Sequence, residues 1–475
     1  WCDRSAVAEM YRLLALWAPL SPNQALMLLD AKFEDARVRR LAAKVLDGLC
    51  DDELEDLLPQ LAQVLKHEAR HYSALAKFLV GRALRSPQQI GHKLFWLLFA
   101  ELQTPEAKER YGLMLEAYLR GCGGQREALL RQIDFVHKAT DLSLAAKKGK
   151  AFNLALELGK CSLPSSFALP YDSTVIANEV VEGECRVMDS FQRPLMLSFS
   201  NKDPVADNLR ILVKTGDDLR QDVLTLQMFK IMDKLWIGEG LDLRMSAYHC
   251  MSTGPGVGLI EVVRDATTTA GIQKEAAGVR GAFIEQTLHR WLAERNASEA
   301  EMELARENFI RSCAGYCIAT YVLGIGDRHN DNIMLTSNGH LFHIDFGHFL
   351  GNVQKWKGFK RDRSPFVLTP EFAFVMGGKN SPGFSRFVDY CCRGYNILRK
   401  SSDLFITLFA LMVSTGIPQL NSFEDIHFLR NAFMLHLSDA EAEAAFVKLI
   451  DKCLSSLATK VNFVVHLMAH PGKDT

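Results

Sequence analysis

Two stretches in the C-terminal half decide the reading: GIGDRHNDNIML at 324–335 and FHIDFGH at 342–348. The second carries a carboxylate, Asp345, followed by Phe346 and Gly347. A hard carboxylate next to a glycine that lets the backbone turn suits a divalent cation such as Mg²⁺. The first stretch carries Asn332, a second oxygen ligand of the same hard character. Apolar runs at 333–335 and 341–344 flank the turn sequence Ser337-Asn338-Gly339. That spacing predicts a strand–turn–strand hairpin that would bring Asn332 and Asp345 together.

Just before Asn332 stand Asp327, Arg328 and His329. Metal ligands beside a proton acceptor suit phosphoryl transfer. That reaction needs cations, positioned dipoles and help for the attacking hydroxyl more than covalent catalysis. An ordinary protein kinase reads His-Arg-Asp before its Asn, and here the order is reversed. Either Asp327 or His329 could take the acceptor proton. An imidazole ordinarily titrates near neutrality, which favours His329 as general base or charge stabiliser. The competing reading makes both residues structural hydrogen-bonding groups.

Working outward, Lys214 lies in ILVKTGDD at the end of a strand expected at 210–213, where it could reach nucleotide phosphates. Asp222, on the helix expected next, could orient it or line the site. A lone lysine at a strand end is usually only solvated. The stretch TGPGVGLIEVV is neither a Walker A loop nor a dinucleotide fingerprint. It reads instead as a turn at 254–258 feeding a strand at 259–263 whose backbone could pair with adenine. After the second motif, Lys355, Lys357, Lys360, Arg361 and Arg363 place five cations in nine residues, with Trp356 and Phe359 among them. Beside a metal site this suits an anionic acceptor such as a phosphorylated headgroup or a membrane surface. The plainer reading is a solvated loop.

The 475 residues are 48% hydrophobic and 23% charged, which is ordinary globular composition with room for two to four domains. A net charge of −1 gives no whole-molecule attraction to nucleic acid, so none is expected as a partner. Eleven cysteines without a CxxC pair point to a reduced, intracellular chain. The start, WCDRSAVAEM, lacks a signal-peptide pattern, and the missing initiator Met suggests a piece of something longer. The longest apolar run, 404–413, is too short to cross a bilayer.

Residues 1 to about 160 read as amphipathic helices in a solenoid-like stack, with starts at Ser21-Pro22 and Asp52. The stretch SLPSSFALPYDS at 162–173 reads as a linker. Strands are expected at 185–188, 195–199 and 210–213. A helix through GDDLRQDVLTLQMFKIMDKLW follows, with Leu219, Val223, Leu226, Phe229, Ile231 and Leu235 near one face. From about Ala266 the chain reads as mostly helical. The expected architecture is multidomain and mainly α with an α+β part. A helical domain at 1–162 precedes a bilobal nucleotide-binding domain at 163–475, with lobes at about 174–263 and 264–475. Near the end Leu457, Val461, Val464, Val465 and Met468 form a helical stripe that would pack on the helical lobe or lie on a membrane.

At GDDLRQD, LIEVV, GIGDRHNDNIM, FHIDFGHFLGN, KRDRSPFVLTP and TKVNF the chain resembles the phosphoinositide 3-kinases, and helical phrases such as LFWLLFAEL and LEAYLRGCG extend the likeness over essentially the whole length. The resemblance implies that these are a helical accessory domain and a two-lobed, protein-kinase-like lipid kinase domain. Such an enzyme uses ATP and Mg²⁺, with Mn²⁺ as the alternative ion, to phosphorylate the inositol 3-hydroxyl of membrane phosphoinositides. It implies that Lys214 contacts phosphate, that Glu261 and Val263 hold adenine through their backbone, and that Asp222 and Tyr248 line the inner pocket. Asp327, Arg328 and His329 match the catalytic loop, Asn332 and Asp345 the Mg²⁺ ligands, and residues 348–369 the lipid-selecting loop. VMDSFQRPLML resembles the phosphate-binding turn near Ser190 but has Gln192 where class I members often carry Lys, and Met196 where they carry Trp. Phrases such as KIMDKLW, EGLDLRM and FVDYCCRGYNILRK lean towards class II, with phosphatidylinositol and its 4-phosphate as substrates. His348, Tyr248, CAGYC and VLGIGD lean towards class I, which makes the 3,4,5-trisphosphate. A cytoplasmic enzyme is implied, recruited to membranes through the basic loop and the C-terminal helix and open to a regulatory protein partner. The alternatives are a related protein kinase and a scaffold with residual kinase activity.

Overall fold

The computed structural model describes residues 3–148, 152–190, 192–278, 284–352, 355–356, 359–360 and 364–455. The chain forms two compact units. One comprises Trp1–Leu219, His249–Glu261 and Thr407–Thr415; the other comprises Arg220–Tyr248, Val262–Ile406 and Gly416–Thr475.

The first unit begins with helices Arg4–Leu16 (α1), Pro22–Met27 (α2), Ala36–Leu46 (α3), Asp51–Val64 (α4), Ala74–Arg85 (α5), His92–Ala100 (α6), Pro105–Gly121 (α7), Gln125–Lys148 (α8) and Leu154–Lys160 (α9). Their starts are set locally. Ser21 accepts from the Gln24 backbone while its own N–H donates to the Gln24 side chain, and Pro22 fills the first turn of α2. Asp51, Asp52 and Glu53 place negative charge on the first turn of α4, which starts one residue before the expected Asp52. Helix α2 packs on α3, α3 on α5, α4 on α6, and α5 and α6 on α7. This is the stack that the amphipathic pattern predicts.

A sheet follows, with strands Phe167–Leu169 (β1), Asp172–Val180 (β2), Arg186–Val187 (β3), Leu195–Asn201 (β4), Leu209–Thr215 (β5), Cys250–Gly254 (β6) and Val257–Glu261 (β7). Its order is β1-β2-β4-β5-β7-β6, with β3 also on β4, and every pairing is antiparallel. Two expectations change here. The stretch at 162–173 is not a bare linker, because it holds β1 and the start of β2. Pro164 and Pro170 flank an edge strand, where proline is tolerated. Phe167 of β1 stacks on Phe135 of α8 at 4.6 Å, and both meet Phe199 of β4 edge-on. All three rings are buried, which stabilises the unit by about 2–3 kcal/mol per ring. The strand expected at 259–263 runs instead from Val257 to Glu261, so Val263 lies past its end. Gly258 belongs to the ladder because a Cβ there would collide with the Met251 carbonyl of β6. The glycines at 254–258 thus form a β6–β7 hairpin.

The second unit contains Arg220–Gly238 (α10), strand Ala266–Thr268 (β8), Thr269–Ala277 (α11), Thr287–Arg295 (α12) and Glu299–Leu323 (α13). Strands Ile333–Thr336 (β9), Leu341–His343 (β10), Lys355–Trp356 (β11) and Phe359–Lys360 (β12) come next. Pro370–Val375 (α14), Pro382–Lys400 (α15), Phe423–Ala432 (α17) and Asp439–Leu454 (α18) complete its helices, and Ser402–Ala410 (α16) begins in this unit and ends in the first. Helix α13 is apolar around most of its girth and is the buried axis, packed on α10, α15, α17 and β10. On α10, Leu226, Phe229 and Ile231 are buried as expected, whereas Val223 and Leu235 are half-buried. The small sheet runs β10-β9-β8, and β8 had no signal in a stretch read as helical. The C-terminal stripe from Leu457 to Met468 lies outside the described residues. Among the described residues, no helix is long and apolar enough to cross a membrane.

Candidate active site

In the second unit the expected hairpin forms, with Leu341 opposite Leu335 and His343 opposite Ile333. Gly339 turns it at φ +93°, and a Cβ there would collide with the backbone of Ala305 on α13. The ladder continues past the strands, since Ile344 N–H donates to the Asn332 carbonyl at 3.1 Å. A second zipper joins the two motifs from the other side. Gly326 donates to the His348 carbonyl at 2.9 Å, Leu350 to Leu323 at 2.8 Å, and Gly351 to Gly324 at 3.0 Å.

Arg328 is buried inside this frame. It donates to the carbonyls of Gly326 (2.9 Å), Ile344 (2.7 Å) and Asp345, and its guanidinium lies 5.5 Å from the centre of the Phe346 ring. Burial lowers its pKa, opposed by the neighbouring carboxylates of Asp345 and Asp327. Its side chain thus clamps one motif to the other. Asp327 and Asp345 both adopt left-handed backbone, with φ of 54° and 59°. Such conformations are held by surrounding structure and gather at functional sites. Asn332 donates its amide to the Asp327 carbonyl at 3.0 Å, which leaves Oδ1 as the atom it can offer to a cation. Asp345 is exposed. Among the described residues no cluster of three or more His, Cys, Asp or Glu could hold a metal. A pair of oxygen donors fits Mg²⁺, which commonly binds one or two protein oxygens and completes its shell with substrate phosphates and water. His329 is half-buried, and its carbonyl accepts from Asn332 N–H at 3.0 Å.

Asp222, near the start of α10, accepts from Phe346 N–H at 2.9 Å, and its neighbour Gln221 donates to the Phe346 carbonyl at 2.7 Å. The pair holds both backbone groups of the residue after Asp345. Tyr248 is buried, with its ring 6.2 Å from that of Phe342 on β10.

Sequence reasoning missed several supports. Gln221 is one; its proximity in LRQD to Asp222 is a signal that could have found it. Just after Asp327, Arg328 and His329, Asn330 donates to Gln273 at 2.7 Å and Gln273 donates to Glu371 at 2.7 Å, all buried. These residues are too far apart in the chain for any pattern to show them. Gln419 accepts from Phe349 N–H at 2.9 Å, so its other amide atom, the nitrogen, faces His348 Nδ1 at 2.7 Å. Nδ1 is then the acceptor and Nε2 carries the ring hydrogen.

In the first unit Lys214 lies opposite Gly258 in the β5–β7 ladder, and its Nζ is 3.6 Å from Asp217. Glu261 N–H donates to the His249 carbonyl at 2.8 Å. The Glu261 carboxylate accepts from His249 N–H at 2.9 Å and pairs with its Nδ1 at 2.7 Å. Burial pushes the Glu261 pKa up, but the His249 donors outweigh it and hold the carboxyl below its usual range. Ser190 is exposed in the β3–β4 turn, where Arg193 N–H donates to its carbonyl at 3.0 Å.

Lys355 and Lys360 are register partners in the short β11–β12 ladder. Lys357, Arg361 and Arg363 lie outside the described residues.

Residues 208–422 match the family described as phosphatidylinositol 3- and 4-kinase, and residues 1–131 match the phosphoinositide 3-kinase family accessory domain, the PIK domain. The chain carries a phosphatidylinositol 3- and 4-kinase domain and a PIK accessory domain. Phosphatidylinositol 3-kinase 2 of Dictyostelium discoideum is 49% identical over 475 residues, covering 99% of this chain and 26% of that protein. The phosphatidylinositol 4-phosphate 3-kinase C2 domain-containing subunit alpha of Pongo abelii is 45% identical over 474 residues, 98% of this chain and 28% of its own length. The human beta subunit is 44% identical over 476 residues, 98% and 29%. The chain therefore spans between a quarter and a third of the curated relatives it matches.

Proposed function

We propose that this chain is the helical-plus-kinase core of a phosphoinositide 3-kinase, with a helical domain at 1–162 and the kinase at 163–475. It moves the terminal phosphate of ATP to the inositol 3-hydroxyl of membrane phosphoinositides, phosphatidylinositol and its 4-phosphate being favoured. The observation that supports the reading is the double zipper around Arg328, in which the Asn332 carbonyl accepts from Ile344 N–H, next to Asp345, and the Asn332 amide donates to the Asp327 carbonyl. Asn332 Oδ1 and the Asp345 carboxylate would hold Mg²⁺, which when bound neutralises charge on the transferring phosphate. Lys214 binds phosphate oxygens beside the Ser190 turn. Glu261 and Val263 hold adenine through their backbone, and Asp222 and Tyr248 line the inner part of the nucleotide site. His329, or Asp327, takes the proton of the attacking hydroxyl.

Lys355, Lys357, Lys360, Arg361 and Arg363 dock the anionic headgroup and bring the chain to the membrane surface. The names of the animal relatives, which specify the 4-phosphate, support the favoured substrate.

Transfer of labelled phosphate from ATP to liposomes, with product position identified, tests this. Product from phosphatidylinositol and its 4-phosphate alone is the expected result. Robust use of the 4,5-bisphosphate would make the enzyme class I-like and assign Lys355 and Lys357 to the extra phosphate. Labelling of peptide but not lipid would overturn the reading.

A further inference from the structure

Within the first unit, helix α8 of the helical array reaches the end of β5 with a cation. Lys147 donates to the Thr215 carbonyl and, at 3.1 Å, to Gln192 Oε1 in the turn after Ser190. Gln192 Nε2 donates onward to Asp217 at 3.4 Å, and the other oxygen of Asp217 lies 3.6 Å from Lys214 Nζ. The orientation of the Gln192 amide follows from its neighbours. An ammonium only donates and a carboxylate only accepts, so the oxygen must face Lys147 and the nitrogen Asp217. Four side chains from three segments thus form one run: Lys147, Gln192, Asp217, Lys214. One turn earlier on α8, buried Ser143 shares a hydrogen bond of 3.1 Å with buried Thr215 and fixes the register of helix against strand.

We propose that Lys147 is a positioning residue for nucleotide phosphate, a proposal that rests on the ATP-dependent reading above. Gln192 has no charge of its own and supplies none to the turn. Lys147 polarises its carbonyl, holds its amide on Asp217, and so keeps that carboxylate where it steers Lys214. When phosphate draws the Lys214 ammonium away, Asp217 keeps the Gln192 donor, and the Lys147 charge offsets its repulsion of the anionic ligand. Nucleotide affinity is thereby tied to the seating of α8 on β5.

The test compares wild type with Lys147→Met, Lys147→Arg, Gln192→Lys and the Lys147→Met/Gln192→Lys pair. The readouts are KM for ATP, kcat at saturating lipid, direct titration of MgATP, and Tm. Lys147→Met should raise KM for ATP roughly five-fold, in line with loss of one partly exposed charge-assisted hydrogen bond, with kcat little changed. Lys147→Arg should keep most of the affinity. The double variant should regain it, because a lysine at 192 can pair with Asp217 directly, whereas Gln192→Lys alone sets two ammonium groups side by side and should weaken binding. An unchanged KM in Lys147→Met overturns the proposal. So does a fall in Tm and affinity that the double variant fails to repair, since that is the mark of a merely structural contact. Wild type that binds no MgATP would remove the kinase reading itself, and this proposal with it.

Discussion

Ile344 donates its backbone N–H to the carbonyl of Asn332 at 3.1 Å, one step beyond the last paired residues of the hairpin. The next residue, Asp345, then turns at φ 59°. Asn332 and Asp345, the two candidate oxygen ligands, stand thirteen positions apart in sequence and are therefore brought near one another by backbone bonds. Their placement does not depend on the ion they would hold.

Asp345→Asn should abolish phosphate transfer and leave Tm close to wild type. Asn tolerates left-handed backbone as well as Asp does, so the turn survives while the anionic ligand is lost. Labelled-phosphate assays beside thermal unfolding check this, and a folded, fully active variant refutes the metal assignment.

Arg328→Met should cost about 3 kcal/mol of stability, because three carbonyls, one of them fully buried, lose their donor. Arg328→Lys should recover little, since one ammonium cannot span the carbonyls of Gly326, Ile344 and Asp345. Denaturant midpoints measure the loss. Turnover should fall with it, as the two motifs separate.

Gly339→Ala should destabilise by about 2 kcal/mol or more, from left-handed strain plus collision with the Ala305 backbone. Gly183→Ala, where a Cβ meets nothing within 4 Å, is the control and should be near neutral. Comparing the two midpoints separates local strain from a general cost of losing glycine.

Asp233 on α10 gives a pH signature. Burial, with help from the Asp242 charge, pushes its pKa up to about 6 from 3.8. A raised folded-state pKa means its contribution to stability is fully present below pH 3.8 and is lost as pH rises through about 6. Asp233→Asn should therefore be more stable than wild type at pH 7, and the gap should close on acidification below pH 4. A gap that stays constant with pH would contradict this assignment.

Replacing Lys360, Arg361 and Arg363 together with Ala should cut lipid product roughly ten-fold or more while KM for ATP is held, since headgroup and membrane charge are lost but the nucleotide residues are untouched. Parallel lipid-transfer and MgATP titrations separate the two effects.

Much of the candidate site was legible because its residues fall within short runs. The hairpin from Ile333 to His343 follows from the short apolar runs on either side of Asn338-Gly339, and the capping of α2 follows from Ser21-Pro22. The edge strand β1 was not legible. Three residues between prolines carry no period, and only packing against Phe135 of α8 and Phe199 of β4 makes Phe167 part of a core. Strand β8 was missed for the same reason, because its identity comes from pairing with β9 some seventy residues later. The end of β7 at Glu261 was misjudged because apolar content continues to Val263 while the ladder stops.

By itself the sequence determined the chemistry: which oxygens, cations and imidazole are present, in what order, and which of them a short hairpin must join. Local spacing and turn residues carry that information, because backbone geometry over a few residues has few solutions. Only the tertiary structure decided what holds those groups in place. Arg328 became a clamp on three carbonyls, Gln221 and Asp222 a brace on Phe346, and Lys147 the far end of a run to Lys214. Each is a contact between residues distant in the chain, satisfied because buried polar groups must find partners wherever packing brings them.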